Sequence, residues 1–532
     1  MKEYKRIDEI DFGQYDAANY TDISGKELFN KMFLYDEKIQ DILKNNKYFL
    51  LGDKGTGKTA YSVYISNNRI NDTDAFIISM DQTEYEKFVT LKEKRDLDLS
   101  GYTDIWKVIL LLLISDKIRK TEKQGILSGI QFQNLERAID EFYYYAFTPE
   151  VKYAMQFVEQ SKESAEIVYK AIQAGGSHAG KITFEETRFQ NNLMYIEKQF
   201  IDALQEVPIK RKYILFMDGI DIRPETINFD EYIKCVKGLA QATWELNTSI
   251  LQSTDKLRRI KVMLLVRPDI FDQMGLHNMN NRLNDNCVIL EWKTTYRDFM
   301  NSGLFKIADR LFSSQQDETL KNNIKCGEAW NHYFPYKVYN YREGEKTDSS
   351  FIPFLRYSFY RPRDILAYLA ILKKHCNNEK EVFEERDFKN SQVQRGYANY
   401  LLGEIRDNLS FYHPASDFEI FRNFFQYLKK YVNEYSREFE YDDFVCAYDE
   451  YIQHLKKADG FQTPLIFQSV DYVLQLLFEL NIIAYIDNTR NDLKYQRWYF
   501  KERSHANIRP RVRTNTVYKM HRGIAQALYV VL

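Results

Sequence analysis

Glycine is scarce in this chain, 21 residues in 532, and it is unevenly placed. Cysteine is scarcer still. The five, Cys235, Cys287, Cys326, Cys376 and Cys446, include no C-x-x-C pair, which argues against a zinc site or a disulfide framework and fits a reducing compartment. The histidines have no metal-ligand neighbours either. No charge sign dominates: 74 Lys and Arg against 76 Asp and Glu leave a net charge of −2. The whole chain is therefore not built to coat a polyanion, and any such surface must be local. No apolar run is long enough to cross a bilayer. The longest aliphatic one, Val108 to Ile114, falls far short of about 20 residues and reads as a buried helix or strand. The opening MKEYKRIDEIDFGQYD is charged and lacks the apolar stretch of a signal peptide. These absences together predict a cytoplasmic protein with no membrane contact.

What is present is aromatic mass, 40 Tyr and 36 Phe, enough for several cores, in a length that suggests roughly three domains at about 150 residues each. The scarce glycine also has a focus. Gly52, Gly55 and Gly57 crowd into YFLLGDKGTGKTAYSVYI (Tyr48–Ile65), and the spacing Gly52-x-x-x-x-Gly57-Lys58-Thr59 is that of a P-loop, or Walker A motif. KYFLL before it has strand composition, and TAYSVYISNN after it is suited to open a helix. Glycines let a backbone curl with its N–H groups pointing inward, and a helix start adds its dipole to that nest. Gly52, Asp53, Lys54, Gly55, Thr56, Gly57, Lys58 and Thr59 are thus the candidate phosphate-binding residues. Lys58 is the point charge for the β- and γ-phosphates, and the Thr59 hydroxyl is suited to Mg²⁺. The bland alternative is a glycine turn with no ligand.

A second strand should supply the acidic partner. Tyr213 to Met217 is wholly apolar and ends at Asp218, as a strand buried on both faces of a parallel sheet does, with its carboxylate at the ligand-binding end. Asp218 is the candidate metal carboxylate, and Asp221 is a candidate for orienting or deprotonating the attacking water. Either aspartate would also suit an ordinary turn. A third run, Ile260 to Val266, ends at Arg267, a candidate γ-phosphate sensor or a surface arginine before a proline turn.

These motifs carry a resemblance. Asp218-Gly219-Ile220-Asp221 followed by a strand ending in Arg267-Pro268 resembles the STAND and KAP-type branches of the AAA+-like P-loop ATPases. NRLNDNCVILEW (Asn281–Trp292) and the lead-in FGQYDAANYTD (Phe12–Asp22) are similar to segments of bacterial members. SFYRPRDILAYLAIL (Ser358–Leu372) resembles the proline-arginine element at a helix start in their lid. The resemblance implies ATP and Mg²⁺ as cofactors, Arg363 as a second sensor, and ATP held between core and lid. It also implies an oligomer or partner protein, with Arg282 as a candidate to act across the boundary, and a setting in bacterial antiviral defence. One departure is Gly219, standing where a glutamate usually follows the metal aspartate. LSGIQ (Leu127–Gln131) lies too far before Asp218 for an ABC-type signature and is read as a helix-to-turn junction. No N/T-K-x-D suggests guanine. AGGSHAGK (Ala174–Lys181) is read as a flexible loop.

The expected fold is α/β: a P-loop NTPase core with a parallel sheet, AAA+/STAND-like, followed by a helical lid and a winged-helix-like C-terminal domain. Residues 1–295 are the core, with a helical insertion at about 116–173; 296–385 are the lid; 386–532 are helical plus winged-helix-like. In the last part, SVDYVLQLLFELNIIAYID reads as helix then strand, KYQRWYF as a strand, and YKMHRGIAQAL as a final helix. Between Arg490 and Arg522 ten Lys/Arg face two Asp/Glu, interleaved with Tyr495, Trp498, Tyr499 and Phe500. This stretch is a candidate DNA or RNA surface, or a wing whose arginines pair with the acidic body or meet a neighbouring subunit. Function reads as an ATP-binding and ATP-hydrolysing switch or remodelling ATPase. The alternatives are a nucleotide-gated interaction scaffold with little hydrolysis, which Gly219 favours, and a small-molecule kinase, which the lid and tail disfavour.

Overall fold

A computed structural model describes residues 4–20, 23–80, 99–123, 128–145, 186–223, 227–276, 278–340, 344–376, 380–457, 463–488, 494–504, 507–528 and 530. AGGSHAGK, the larger part of the expected 116–173 insertion, and 490–493 and 505–506 of the basic stretch lie outside them. The chain forms two compact units. One comprises Asp36–Gly52 and Lys58–Ile289; the other comprises Met1–Tyr35, Asp53–Gly57 and Leu290–Leu532.

The first unit is α/β. Its sheet contains β1 (Phe49–Leu51), β2 (Thr73–Ser79), β3 (Lys212–Asp218), β4 (Ile260–Val266) and β5 (Cys287–Ile289), in the order β2-β3-β4-β1-β5. Every pairing is parallel. Every residue of β4 is buried, as are Tyr213 to Met217 of β3. That explains the apolar runs, which on β4 only Lys261 interrupts, since a parallel strand covered on both faces has no solvent side to alternate with. Val108–Ile114 belongs to one buried helix, Leu99–Glu122. The expected insertion therefore begins inside an element of this unit rather than after it.

The second unit joins the first 35 residues to the C-terminal half, where sequence reading put residues 1–295 together. Specific bonds account for the grouping. Gln315 accepts from the Asp11 amide (2.9 Å) and donates to its carbonyl (2.7 Å), and the Lys5 amide donates to Gln316 (3.0 Å). Its core is strongly aromatic: Trp330 stacks on Phe334 at 4.2 Å between centroids and meets Phe351 and Phe354 edge-on. A hairpin of β6 (Lys337–Asn340) and β7 (Glu345–Ser349) interrupts the region expected as a helical lid.

An antiparallel sheet follows in the order β10-β9-β11-β8, from β8 (Glu438–Glu440), β9 (Ile483–Asn488), β10 (Lys494–Arg497) and β11 (Val517–Met520). Helices Asp417–Leu428, Tyr441–Leu455 and Val470–Glu479 accompany it. Helix then strand is found over 469–488 as expected. KYQRWYF instead divides into β10 and a helical turn, Tyr499–Glu502, and YKMHRGIAQAL begins as β11. In β11 burial alternates, with Tyr518 and Met520 inside, the period-2 pattern of a strand with one covered face.

One buried cation in the first unit has a measurable signature. Lys261, on β4 and 6 % exposed, donates its ammonium to Ile42 O (2.5 Å) and Lys44 O (2.9 Å), capping the helix Glu37–Leu43. Burial, with Lys212 nearby, pushes its pKa down to about 7. An unfolded lysine titrates near 10.4, so between those values the unfolded chain holds a proton that the folded chain has released, and stability rises with pH. Reversible denaturation from pH 7 to 9.5 should show wild type gaining stability more steeply than Lys261→Met, by at most about 1.4 kcal/mol per pH unit. Equal slopes would show that the ammonium stays charged.

Candidate functional site

The glycine loop starts where parallel pairing places it. Leu51 is in register with Val266 on β4 and Ile289 on β5, and the Gly52 amide donates to Val266 O (3.3 Å). The loop turns through positive φ at Gly55 (+84°) and Gly57 (+100°), a region open to glycine at no steric cost. Lys58 opens the helix Lys58–Asn68, is nearly buried, and folds back so that its ammonium donates to Gly52 O at 2.8 Å. Within the first unit the Thr59 hydroxyl donates to Asp218 Oδ2 at 2.5 Å, and the Gly219 amide donates to Asp218 Oδ1 at 2.8 Å.

The structure thus brings together Lys58, Thr59 and Asp218, although about 160 residues separate the last two. Loss of water pushes the Asp218 carboxyl above the usual carboxylate range, and the charge of Asp221 adds to that. The Thr59 hydroxyl, the Lys58 ammonium and the Gly219 amide oppose it. A hydroxyl and a carboxylate oxygen side by side are hard donors of the kind Mg²⁺ takes, usually one or two from protein with phosphate and water completing the shell. Among the described residues there is no group of three or more His, Cys, Asp or Glu able to hold an ion without such help.

Gly219 explains the missing glutamate. Its φ is +77°, and a Cβ there would lie 2.9 Å from Met80 O and 3.0 Å from Met80 N. Those are backbone atoms held by the bond from the Met80 amide to Asp218 O (3.1 Å). The turn has no room for a side chain at this position. Asp221 is the carboxylate that follows in the same turn, half-exposed.

The two candidate sensors are engaged elsewhere. Arg267, 6 % exposed, grips Asp269 with two nitrogens, one at 3.1 Å and the other closer. In the second unit Arg363 donates from Nε to Tyr15 O (3.0 Å) and pairs loosely with Glu404 (3.8 Å), while its amide reaches Gly55 O (3.3 Å). Arg282, expected at a subunit boundary, is buried with its guanidinium 3.9 Å over the ring of Trp244.

Several residues that sequence reading did not single out hold Asp53–Gly57 within the second unit. Arg361, not its neighbour Arg363, is the buried arginine. Its guanidinium binds Asp364 and donates to Lys54 O at 3.0 Å. Trp292 donates its indole N–H to Thr56 O at 2.9 Å. The Lys54 ammonium meets Asp407 at 2.5 Å and Glu404 at 3.7 Å. Arg503 takes both carboxylate oxygens of Asp53. The RPRD pattern offered both arginines; Trp292 and Arg503 lie in segments that sequence reading noted, but nothing there tied either to the loop.

The basic stretch is neutralised in part. Arg497 pairs with Asp487 and Glu502, Arg509 with Glu479, Arg513 with Asp487 and Lys519 with Glu438. Of the interleaved aromatics, Trp498, Tyr499 and Phe500 are buried, and Tyr495 is 47 % exposed. Lys494 and Arg511 are exposed. No helix among the described residues is long and apolar enough to cross a membrane.

No protein-family model and no curated protein matches the chain. Among solved structures, the Aeropyrum pernix Orc1 protein in complex with DNA aligns over 94% of this chain and 91% of that one, at 9% identity and a TM-score of 0.33. So loose a superposition leaves the reading to the residues themselves.

The Gly219 turn yields a direct test. Gly219→Glu should lower stability by about 1–3 kcal/mol, the usual cost of forcing a side chain into such backbone. A variant as stable as wild type in thermal unfolding would contradict the geometry.

Proposed function

We propose that the chain is a nucleotide-dependent ATPase that binds ATP with Mg²⁺ on its glycine loop. The observation that carries this reading is the convergence of the Lys58 ammonium, the Thr59 hydroxyl and the Asp218 carboxylate at one edge of the parallel sheet. The loop amides and Lys58 bind and neutralise the phosphates, and leaving Gly52 O for a phosphate oxygen costs the ammonium little. Thr59 and Asp218 are the residues that hold Mg²⁺, which when bound spreads the negative charge of the β- and γ-phosphates. Asp221 orients the attacking water or accepts its proton, the glutamate position being closed. Arg267 and Arg363 act as sensors after leaving their present partners.

Those engagements, with the missing glutamate, favour the second reading as well: a nucleotide-gated scaffold that turns over slowly. The helices and sheet of residues 417–520 are read as winged-helix-like. A DNA or RNA partner would be met by Lys494, Tyr495 and Arg511, exposed members of the basic stretch.

Loss of one charge-assisted contact of about 3 kcal/mol is roughly a hundredfold in affinity. Lys58→Ala should therefore weaken ATP binding at least that much in a calorimetric titration, and unchanged affinity would remove the assignment. Steady-state phosphate release, compared with Asp221→Asn, separates the two readings. A switch ATPase slows sharply in the variant, whereas a scaffold shows the same low rate in both.

A further inference from the structure

Asp53 is an awkward residue for its place. It is the second position of a loop that, on the reading above, must receive a polyanion, and it carries a negative charge into it. Its main-chain carbonyl is the corner of the loop, accepting from the Thr56 hydroxyl (2.8 Å) and the Thr56 amide (3.2 Å). Its carboxylate is met by Arg503, with Nη1 on Oδ1 at 2.5 Å and Nη2 on Oδ2 closer still. This paired fork is the geometry in which guanidinium and carboxylate bind most strongly. It is also sheltered, the Arg503 side chain being 12% exposed and that of Asp53 25%.

Arg503 is held where it stands. Its amide donates to Tyr499 O (3.1 Å), its guanidinium lies 5.5 Å over the Tyr499 ring, and its carbonyl accepts from Lys293. The loop's other charge is also taken, since Lys54 meets Asp407 and Glu404. Lys54 therefore cannot offset Asp53, and the offsetting charge comes from Arg503, 450 residues along the chain.

We infer that Arg503 is a positioning residue for nucleotide binding: it neutralises Asp53 and fixes the loop corner so that the loop accepts a triphosphate. The inference rests on the ATP reading. Without Arg503, the Asp53 carboxylate loses its guanidinium, and its charge opposes phosphate in proportion to the ligand's charge. Removing both charges removes the conflict.

The test is a double-mutant cycle on the full-length protein, titrating ATP, ADP and AMP by calorimetry in Mg²⁺ buffer. Arg503→Ala should raise the Kd for ATP about tenfold or more, with a smaller loss for ADP and the smallest for AMP. The double variant Asp53→Asn/Arg503→Ala should return to within about threefold of wild type. A merely structural role for Arg503 would weaken the three ligands alike and would not be rescued by Asp53→Asn; that result overturns the inference. Tighter ATP binding in Arg503→Ala, as expected of an inhibitory latch, overturns it too. Thermal unfolding of each variant establishes that it is folded, and if Arg503→Ala fails to fold, Arg503→Gln replaces it in the same cycle. Lys58→Ala is carried alongside. Wild-type affinity there defeats the ATP reading itself, whereas lost binding in Lys58→Ala with wild-type affinity in Arg503→Ala defeats the positioning role alone.

Discussion

Parallel strands cannot be joined by a tight turn. Each crossover must carry the chain back across the sheet before the next strand starts, so every strand of such a sheet ends on the same edge. In the first unit this brings the ends of β1, β3 and β4 together. Gly52 leaves β1 bonded to the last residue of β4, and Asp218 ends β3 within reach of the first turn after the loop. No local property of residues 52–59 could draw a carboxylate from position 218. Sheet topology does so, and the loop's chemistry follows from that placement.

The second theme is how fully the surrounding charge is spent. Arg267 with Asp269, Arg361 with Asp364, and Arg503 with Asp53 are each a pair in which one or both members are largely buried. Lone buried charges are costly and paired ones much less so, so removing either partner exposes the other to the full penalty. Such pairs weigh more for register than for net stability. The same arithmetic applies to the C-terminal basic stretch, where Asp487, Glu479, Glu502 and Glu438 pair with four of its ten cations.

Sequence exposed the parts whose physics is local. The glycine spacing fixed the loop, and Ile260–Val266 was readable to its last residue because a doubly covered strand is apolar nearly throughout, Lys261 being its one polar position. Tyr213 to Asp218 was readable for the same reason. What sequence could not expose is what depends on distant partners. Arg361 and Arg363 flank one proline, and packing against Asp364 and Lys54 decides between them. Trp292 and Arg503 carry no motif, since each is defined by a loop residue more than 200 positions earlier. Short strands such as β8 and β11 were missed because three or four residues give too few periods to count. Residues 1–35 were assigned by proximity in sequence, whereas glutamine side chains near 315 hold them.

The reach of those bonds has a consequence for synthesis. A ribosome adding about 5–20 residues per second finishes the glycine loop early and supplies its last partner, Arg503, some 450 residues later, after roughly 20–90 seconds. Through that interval the nascent chain carries a Walker motif whose corner is unbraced. The brace on that corner therefore forms late, after nearly all the residues between the two partners have been added.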